Sequence, residues 1–366
     1  MVLRSQSVGE QDAADQLGAF SVSRSHREIG GAAFLSRISP GYRLGAGVRI
    51  AAFEVRKDER HEFKRQALRS EIEELALHAH KIDPEDLSIL DGYDAALVLG
   101  ANRYDEALLG KMAARGVRVL VGRTVGIDYI DIQAAEKVGI KVSNVAYAPD
   151  SVADFTLMLI LVALRKYKAA IYKQNVNDFS LSGLVGRTLS SLTVGVVGTG
   201  AIGTAVIERL SGFGCNILAY GHHQNERAAS LARYVSLEEL YAQSDVITFH
   251  VPERPENMGM VNDETLAQMK DGVMLVNTAR ASLMNVSTLI EGIESGKIGS
   301  LAMDVFDGER NVYHRSLTDE IICNREMAYL RQFPNTVLTQ HMAFCTRQAV
   351  DEMVSKAVEH AIELGV

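Results

Sequence analysis

The chain has 366 residues, more than one ordinary core accommodates, so two domains are expected. Hydrophobic residues make up 47% and charged residues 23%, a mixture typical of globular chains. The net charge of −8 argues against a nucleic-acid surface, which needs clustered lysine and arginine.

Residues 1–47 are rich in Ser, Arg, Gly and Gln, with no sustained periodicity and no uninterrupted apolar core like that of a signal peptide. They read as an unstructured extension, or as sequence upstream of a later start, because Val48 opens the first convincing strand. From there the pattern predicts a strand over 48–55, a charged helix over about 61–80 and a strand over 95–99. It continues with a helix over 104–114, a strand over 117–122, a short helix near 132–138 and a strand over 141–145. Short apolar runs alternating with helices imply βαβ units and a parallel sheet.

Residues 150 to about 171 predict one long helix, apolar enough to lie buried between layers. Its most apolar run, residues 155–164, is far shorter than the roughly 20 residues of a bilayer span. Cys215, Cys323 and Cys345 form no CxxC pair and read as free thiols, with no metal site expected. Both points favour a cytoplasmic protein. A second alternating series follows, with strands over 193–197, 217–220, 246–251, 273–277, 301–306 and 336–338. Ser236 and Glu239 have capping-box spacing before a helix leading to Ala242. The last helix, about 347–364, places Val350, Val354, Val358 and Ala361 on one face.

The expected fold is α/β, with two doubly wound parallel-sheet domains and an active site in the cleft between them. Residues 48–148 with 345–366 would form a flavodoxin-like substrate domain, and 149–344 a Rossmann nucleotide domain.

Gly198, Gly200 and Gly203 form a G-x-G-x-x-G loop between an apolar strand and an amphipathic helix. That context points to a dinucleotide whose pyrophosphate rests on the helix N-terminus. Sites specific for NAD usually place Asp or Glu at the end of the next strand, about 20 residues on, to bind the ribose hydroxyls. Here that position is Gly221, followed by His222 and His223, with Arg227 nearby. NADP(H) is therefore the favoured cofactor and NAD(H) the alternative.

Three further segments follow predicted strands: Asn277-Thr-Ala-Arg280, Asp304-Val-Phe-Asp-Gly-Glu309 and Thr339-Gln-His341-Met-Ala-Phe344. Taken singly, strand-end Arg, Glu and His are usually solvated or structurally paired. Together, behind a dinucleotide loop, they are the groups that reduction of a keto acid needs. An Arg fork binds a carboxylate in bidentate fashion. A histidine supplies a proton as hydride arrives, and a carboxylate beside it fixes its tautomer.

The stretches RTVGIDYIDI, NVAYAPDSVADFTLMLILVALR, LTVGVVGTGAIG, HVP, NTAR, DVFDGE and TQHMAFCT together resemble the D-2-hydroxyacid dehydrogenase family. The likeness runs from about Val48 to the C-terminus and is strongest to the D-lactate dehydrogenases associated with vancomycin resistance. It implies that His341 is the acid/base, Glu309 its carboxylate partner and Arg280 the substrate-orienting cation. Backbone groups at Val125 and Gly126 would hold the substrate carboxylate, with Tyr147 and Phe344 shaping the pocket. Ala201, Ile202, Val251, Pro252, Asn257, Thr278, Ala279 and Asp304 would line the cofactor. It further implies a homodimer formed through the nucleotide domain, and reduction of pyruvate or a similar small 2-keto acid to the D-2-hydroxy acid.

Where the family commonly reads N-T-x-R-G-x-x-x-D, this chain has Ala281 and Asn285, and where it reads T-P-H this chain has Gln340. Competing readings are a dehydrogenase for a branched or aromatic 2-keto acid, and a dinucleotide-sensing corepressor on the same scaffold. Formate dehydrogenases carry Gln where Glu309 stands, and phosphoglycerate dehydrogenases usually lack an aromatic at Phe344.

Overall fold

The structure, a computed structural model, describes residues 20–23, 47–309 and 312–365. Its contacts divide the chain into two units, Met1–Tyr147 with Val350–Val366, and Ala148–Ala349. No helix among the described residues is long and apolar enough to cross a membrane.

The first unit runs β1 (Phe20–Ser23), β2 (Val48–Ala52), α1 (Arg60–Gln66), β3 (Ile72–Leu77), β4 (Ala95–Val98), α2 (Glu106–Ala114), β5 (Val119–Gly122), α3 (Ile132–Lys137) and β6 (Lys141–Asn144). Its sheet has the order β1-β3-β2-β4-β5-β6. All neighbours are parallel except β1, which pairs antiparallel with β3. Without β1 this is the 2-1-3-4-5 order of flavodoxin-like sheets. β4 and β5 are buried along their whole length, as central parallel strands covered on both faces must be.

Two expectations for this unit need correction. The helix expected over 61–80 stops at Gln66, and the chain returns as β3. Glu, Leu and Ala favour helix intrinsically, but Leu75, Ala76 and Leu77 are buried in a strand paired on both edges, and that pairing overrides propensity. Within the extension expected to be unstructured, Phe20–Ser23 is a strand registered on Glu74–Leu77. Apart from Gly47, the rest of that extension lies outside the described residues.

The second unit runs α4 (Asp150–Leu164), α5 (Tyr167–Asn175), β7 (Thr193–Val197), α6 (Ala201–Ser211), β8 (Asn216–Tyr220), α7 (Glu226–Ala229), β9 (Arg233–Tyr234), α8 (Leu237–Gln243), β10 (Val246–Phe249), α9 (Asp263–Gln268), β11 (Val273–Asn277), α10 (Val286–Glu294), β12 (Ile298–Met303), α11 (Arg325–Leu330) and β13 (Thr336–Leu338). The final helix, α12 (Arg347–Gly365), carries the chain back into the first unit. The seven-stranded sheet, β13-β12-β11-β10-β7-β8-β9, is parallel throughout. It is the doubly wound order 3-2-1-4-5-6 with one strand added, and the winding reverses between β7 and β10.

Alternation along these strands builds a core on each face. Val197, Leu218 and Ile247 pack into one cluster, and their neighbours Val196, Ala219 and Val246 into the other.

The helix expected to run from 150 to about 171 breaks into α4 and α5 at Lys166, which adopts φ +52°. Lys168 then donates to the carbonyls of Arg331 and Phe333 at 2.7 and 2.8 Å and of Thr336 at 2.7 Å, which redirects the chain. The expected burial on all sides also fails: Val152, Leu159 and Ile160 are buried, but Met158 on the other face is exposed. The Ser236 hydroxyl caps α8 by accepting from the Glu239 N–H at 3.2 Å. The reciprocal half of that capping box is absent, because Arg233 and Gln243 take the Glu239 carboxylate instead.

Candidate active site

The loop after β7 is shaped by contacts that exclude side chains. Gly198 has φ +97°, and a Cβ there would meet the His250 carbonyl oxygen at 2.6 Å. A Cβ on Gly203 would come within 1.8 Å of the Gly198 carbonyl oxygen, so α6 packs against the loop only with glycine at this position. Gly200 is the extended residue before α6, with open space where its side chain would stand. Ala201 is exposed and Ile202 half-buried in the first turn. The N-terminus of α6 therefore offers its unpaired N–H groups at the point where the winding reverses, the usual place for a ligand in such sheets.

At the end of β8, a Cβ on Gly221 would lie 2.5 Å from the Thr199 hydroxyl. His222 and His223 are exposed. The Arg227 guanidinium pairs with Glu208. After β10, Val251 is half-buried and Pro252 exposed, and the Pro252 carbonyl accepts from the buried Asn257 amide at 2.9 Å. Thr278, beyond β11, shares a 2.9 Å hydrogen bond with the buried Thr156 hydroxyl of α4.

Three strand ends of this sheet carry the expected reactive side chains. The buried Asn277 accepts from the Ala279 N–H at 2.9 Å and donates to the Arg280 carbonyl at 2.8 Å, so its side chain folds the turn that presents Arg280. Arg280 is half-buried, and its Nη1 donates to the Ala279 carbonyl at 2.9 Å. Beyond β12, Glu309 Oε2 accepts from the Phe306 N–H at 2.8 Å, while Oε1 lies 2.6 Å from His341 Nδ1.

His341 follows β13 with φ +53°, a left-handed conformation that a non-glycine residue adopts only when its surroundings hold it. Asp304 is what holds it. This carboxylate, 1% exposed, accepts from the Thr339 hydroxyl at 2.5 Å, the Met342 N–H at 3.0 Å and the Ala343 N–H at 2.7 Å. The Asp304 carbonyl also accepts from the His341 N–H at 2.7 Å. The His314 ring nitrogen stands 3.1 Å from the His341 carbonyl oxygen, and its ring meets Phe344 edge-on at 6.3 Å.

In the first unit, the carbonyls of the loop at 124–126 are engaged within the loop and by Asn144. The Val125 oxygen accepts from Asn144 at 2.5 Å and the Gly126 oxygen from the Thr124 hydroxyl at 2.7 Å. The Val125 and Gly126 N–H groups have no partner among the described residues. Beneath the loop, the fully buried Arg123 donates to the carbonyls of Leu97 and Phe53 at 3.1 and 2.9 Å and pairs with Glu59 at 3.3 Å. Tyr147 is half-buried at the end of this segment.

A model of the NAD-binding domain of D-isomer-specific 2-hydroxyacid dehydrogenases matches residues 157–343. An aromatic 2-oxoacid reductase of Clostridium sporogenes is 39% identical over 316 residues, covering 84% of this chain and 93% of that protein. The chain belongs to the D-isomer-specific 2-hydroxyacid dehydrogenase family. A D-specific alpha-keto acid dehydrogenase of Enterococcus faecium is 40% identical over 257 residues, 70% of this chain and 79% of its relative. Among solved structures, the pyruvate reductase of Chlamydomonas reinhardtii superposes with a TM-score of 0.80 at 30% identity, over 87% of this chain and 97% of that one.

This dehydrogenase is thus an oxidoreductase of the CH–OH group of 2-hydroxy acids, with a nicotinamide dinucleotide as cofactor. Its loop fits that group: Gly198 and Gly203 leave no room for side chains, Gly200 opens the approach, and the N-terminus of α6 lies behind it. The residues that sequence reasoning missed are those holding the site: Asn277, Thr339, Thr156, His314 and Thr199. Asn277 and Thr339 stand inside the quoted motifs, and their position at the last residue of a strand or just past it was the available signal.

Proposed function

We propose that this dehydrogenase reduces a small 2-keto acid, pyruvate foremost, to the D-2-hydroxy acid, with His341 as proton donor. The 2.6 Å approach of Glu309 to His341 Nδ1, at the same sheet end as Arg280, carries this reading. Glu309 keeps the hydrogen on Nδ1, so the opposite nitrogen, Nε2, gives its proton to the substrate oxygen as the alcohol forms. Arg280 binds and orients the keto acid through its planar fork. The unpaired N–H groups of Val125 and Gly126 suit a carboxylate, with Tyr147 and Phe344 bounding the substrate. When bound, the reduced nicotinamide supplies the hydride.

The dinucleotide would be held by Gly198, Gly200, Ala201, Ile202 and Gly203 at the pyrophosphate, and by Val251, Pro252, Asn257, Thr278 and Ala279 farther along. NADPH is the preferred form in this proposal. Gly221 presents no carboxylate to a 2′-phosphate, and the exposed His222 and His223 that follow it would be available to contact one. A second reading, an aromatic 2-keto acid as substrate, is favoured by the similarity to the Clostridium sporogenes reductase.

The active form in this proposal is a homodimer. No residue of α5 is buried, and beyond it Phe179, Leu181 and Val185 are each about three-quarters exposed or more. With the exposed Met158 of α4, they are apolar side chains that a second copy would cover.

The test is loss of reduced-nicotinamide absorbance with NADPH and NADH separately, against pyruvate and an aromatic 2-keto acid. Turnover fastest with NADPH and pyruvate is expected. A strong preference for the aromatic acid would favour the second reading, and tight dinucleotide binding without turnover would favour a sensor.

A further inference from the structure

We propose that His61, Glu62 and Asp351 form a site for a divalent transition-metal ion, zinc by the chemistry of its donors, that ties α1 to α12 within the first unit. His61 and Glu62 lie on α1 and Asp351 in the first turns of α12. One imidazole nitrogen and two carboxylate oxygens all fall within 4.8 Å of one another. The His61 Nδ1 to Asp351 Oδ1 separation is 3.6 Å, too long for a hydrogen bond but close to the spacing of neighbouring donors around a tetrahedral ion with bonds of about 2.0–2.2 Å. Small rotations of Glu62 would complete the set.

The second observation concerns what these carboxylates lack. Glu62 is fully buried. Its Oε1 accepts from Arg65 at 2.8 Å and Gln66 at 2.7 Å, but the buried Oε2 has no hydrogen-bond partner among the described residues. Asp351 Oδ1, also buried at the atom, has none either. An ordinary surface ion pair between His61 and Asp351 would leave Glu62 Oε2 unsatisfied, and buried carboxylate oxygens without partners are costly. A cation between the three would satisfy both orphaned oxygens together. The imidazole selects zinc over magnesium or calcium, which prefer oxygen alone. The exposure of His61 leaves a path for entry and room for a water as fourth ligand.

The experiment strips the full-length protein with a chelator and titrates zinc alone against a chromophoric competitor. It is repeated on His61→Gln and Asp351→Asn, changes at partly exposed positions that spare the buried Glu62. Wild type is expected to take up one equivalent more than either variant, and zinc to raise its Tm but not theirs. Because other histidines and the cysteines bind zinc weakly, the difference between proteins is the quantity read. Keto-acid reduction should be the same in all three, since neither residue belongs to the reaction. Equal zinc uptake by wild type and variants, or equal Tm shifts, would overturn the proposal. Stabilisation by magnesium but not zinc would overturn it as well.

Discussion

Glu309 grips His341 through Nδ1 at 2.6 Å while its other oxygen is fixed by the Phe306 N–H at 2.8 Å. A carboxylate only accepts, so the hydrogen sits on Nδ1 and the opposite ring nitrogen is left to exchange a proton. His341→Gln, which keeps a donor but cannot deliver a proton, is expected to lower kcat by about 100- to 10,000-fold. Glu309→Gln should lower kcat less, because the ring remains but its tautomer is no longer imposed. Steady-state kinetics with circular dichroism as a folding control checks both, and near-normal turnover of the His341 variant would sink the assignment.

Arg280→Lys separates charge from shape. An ammonium keeps the charge and loses the planar pair of N–H groups, so KM for the keto acid should rise and kcat fall together. KM for the dinucleotide should move little. An unchanged kcat/KM would remove Arg280 from the substrate.

Much of this was legible in the sequence because strand, turn and helix periodicity are local. The loop Gly198–Gly203 and the strand-end Arg280, Glu309 and His341 could be placed from pattern alone. β3 was not legible: IEELAL has the composition of a helix, and only its pairing between β1 and β2 makes it a strand. The break at Lys166 was hidden too, since its cause is Lys168 reaching carbonyls more than 160 residues away. Asp304 shows the same limit within the site. Resemblance implies that it lines the cofactor, whereas both its oxygens are engaged by the loop carrying His341.

That engagement has a measurable consequence. Asp304→Asn replaces one acceptor oxygen by an NH2 group, which would face donors already pointing at it. At least one buried N–H or hydroxyl then loses its partner, at a cost of about 1–3 kcal/mol. Stability and kcat should both fall as the loop shifts, with KM for the dinucleotide nearly unchanged. A rise in that KM as the main effect would show direct contact with the cofactor instead.

Gly221 bears on cofactor choice through Thr199. An acidic side chain at 221 would favour NADH by binding ribose hydroxyls and repelling a 2′-phosphate. Its Cβ, however, would meet the Thr199 hydroxyl at 2.5 Å. Gly221→Asp alone should therefore weaken both cofactors, and Gly221→Asp with Thr199→Ala should move kcat/KM toward NADH. Ratios of kcat/KM for the two dinucleotides decide it; a double variant with the parental ratio would exclude this position from the discrimination.

His250, whose ring nitrogen lies 3.0 Å from the Thr248 hydroxyl, ties stability to pH. Burial pushes its pKa from 6.5 down to about 3, so the folded protein keeps the ring neutral where the unfolded chain would protonate it. Between those values unfolding takes up a proton, and acid favours the unfolded state. Stability should rise with pH through this window, by at most about 1.4 kcal/mol per pH unit from one such group, and this contribution should level off above the unfolded value. Urea midpoints at pH 5 and pH 7 test it. His250→Gln, which can still bond Thr248 but does not titrate, should lose less stability on acidification than wild type, and an equal loss in the two proteins would mean that His250 is not the group responsible.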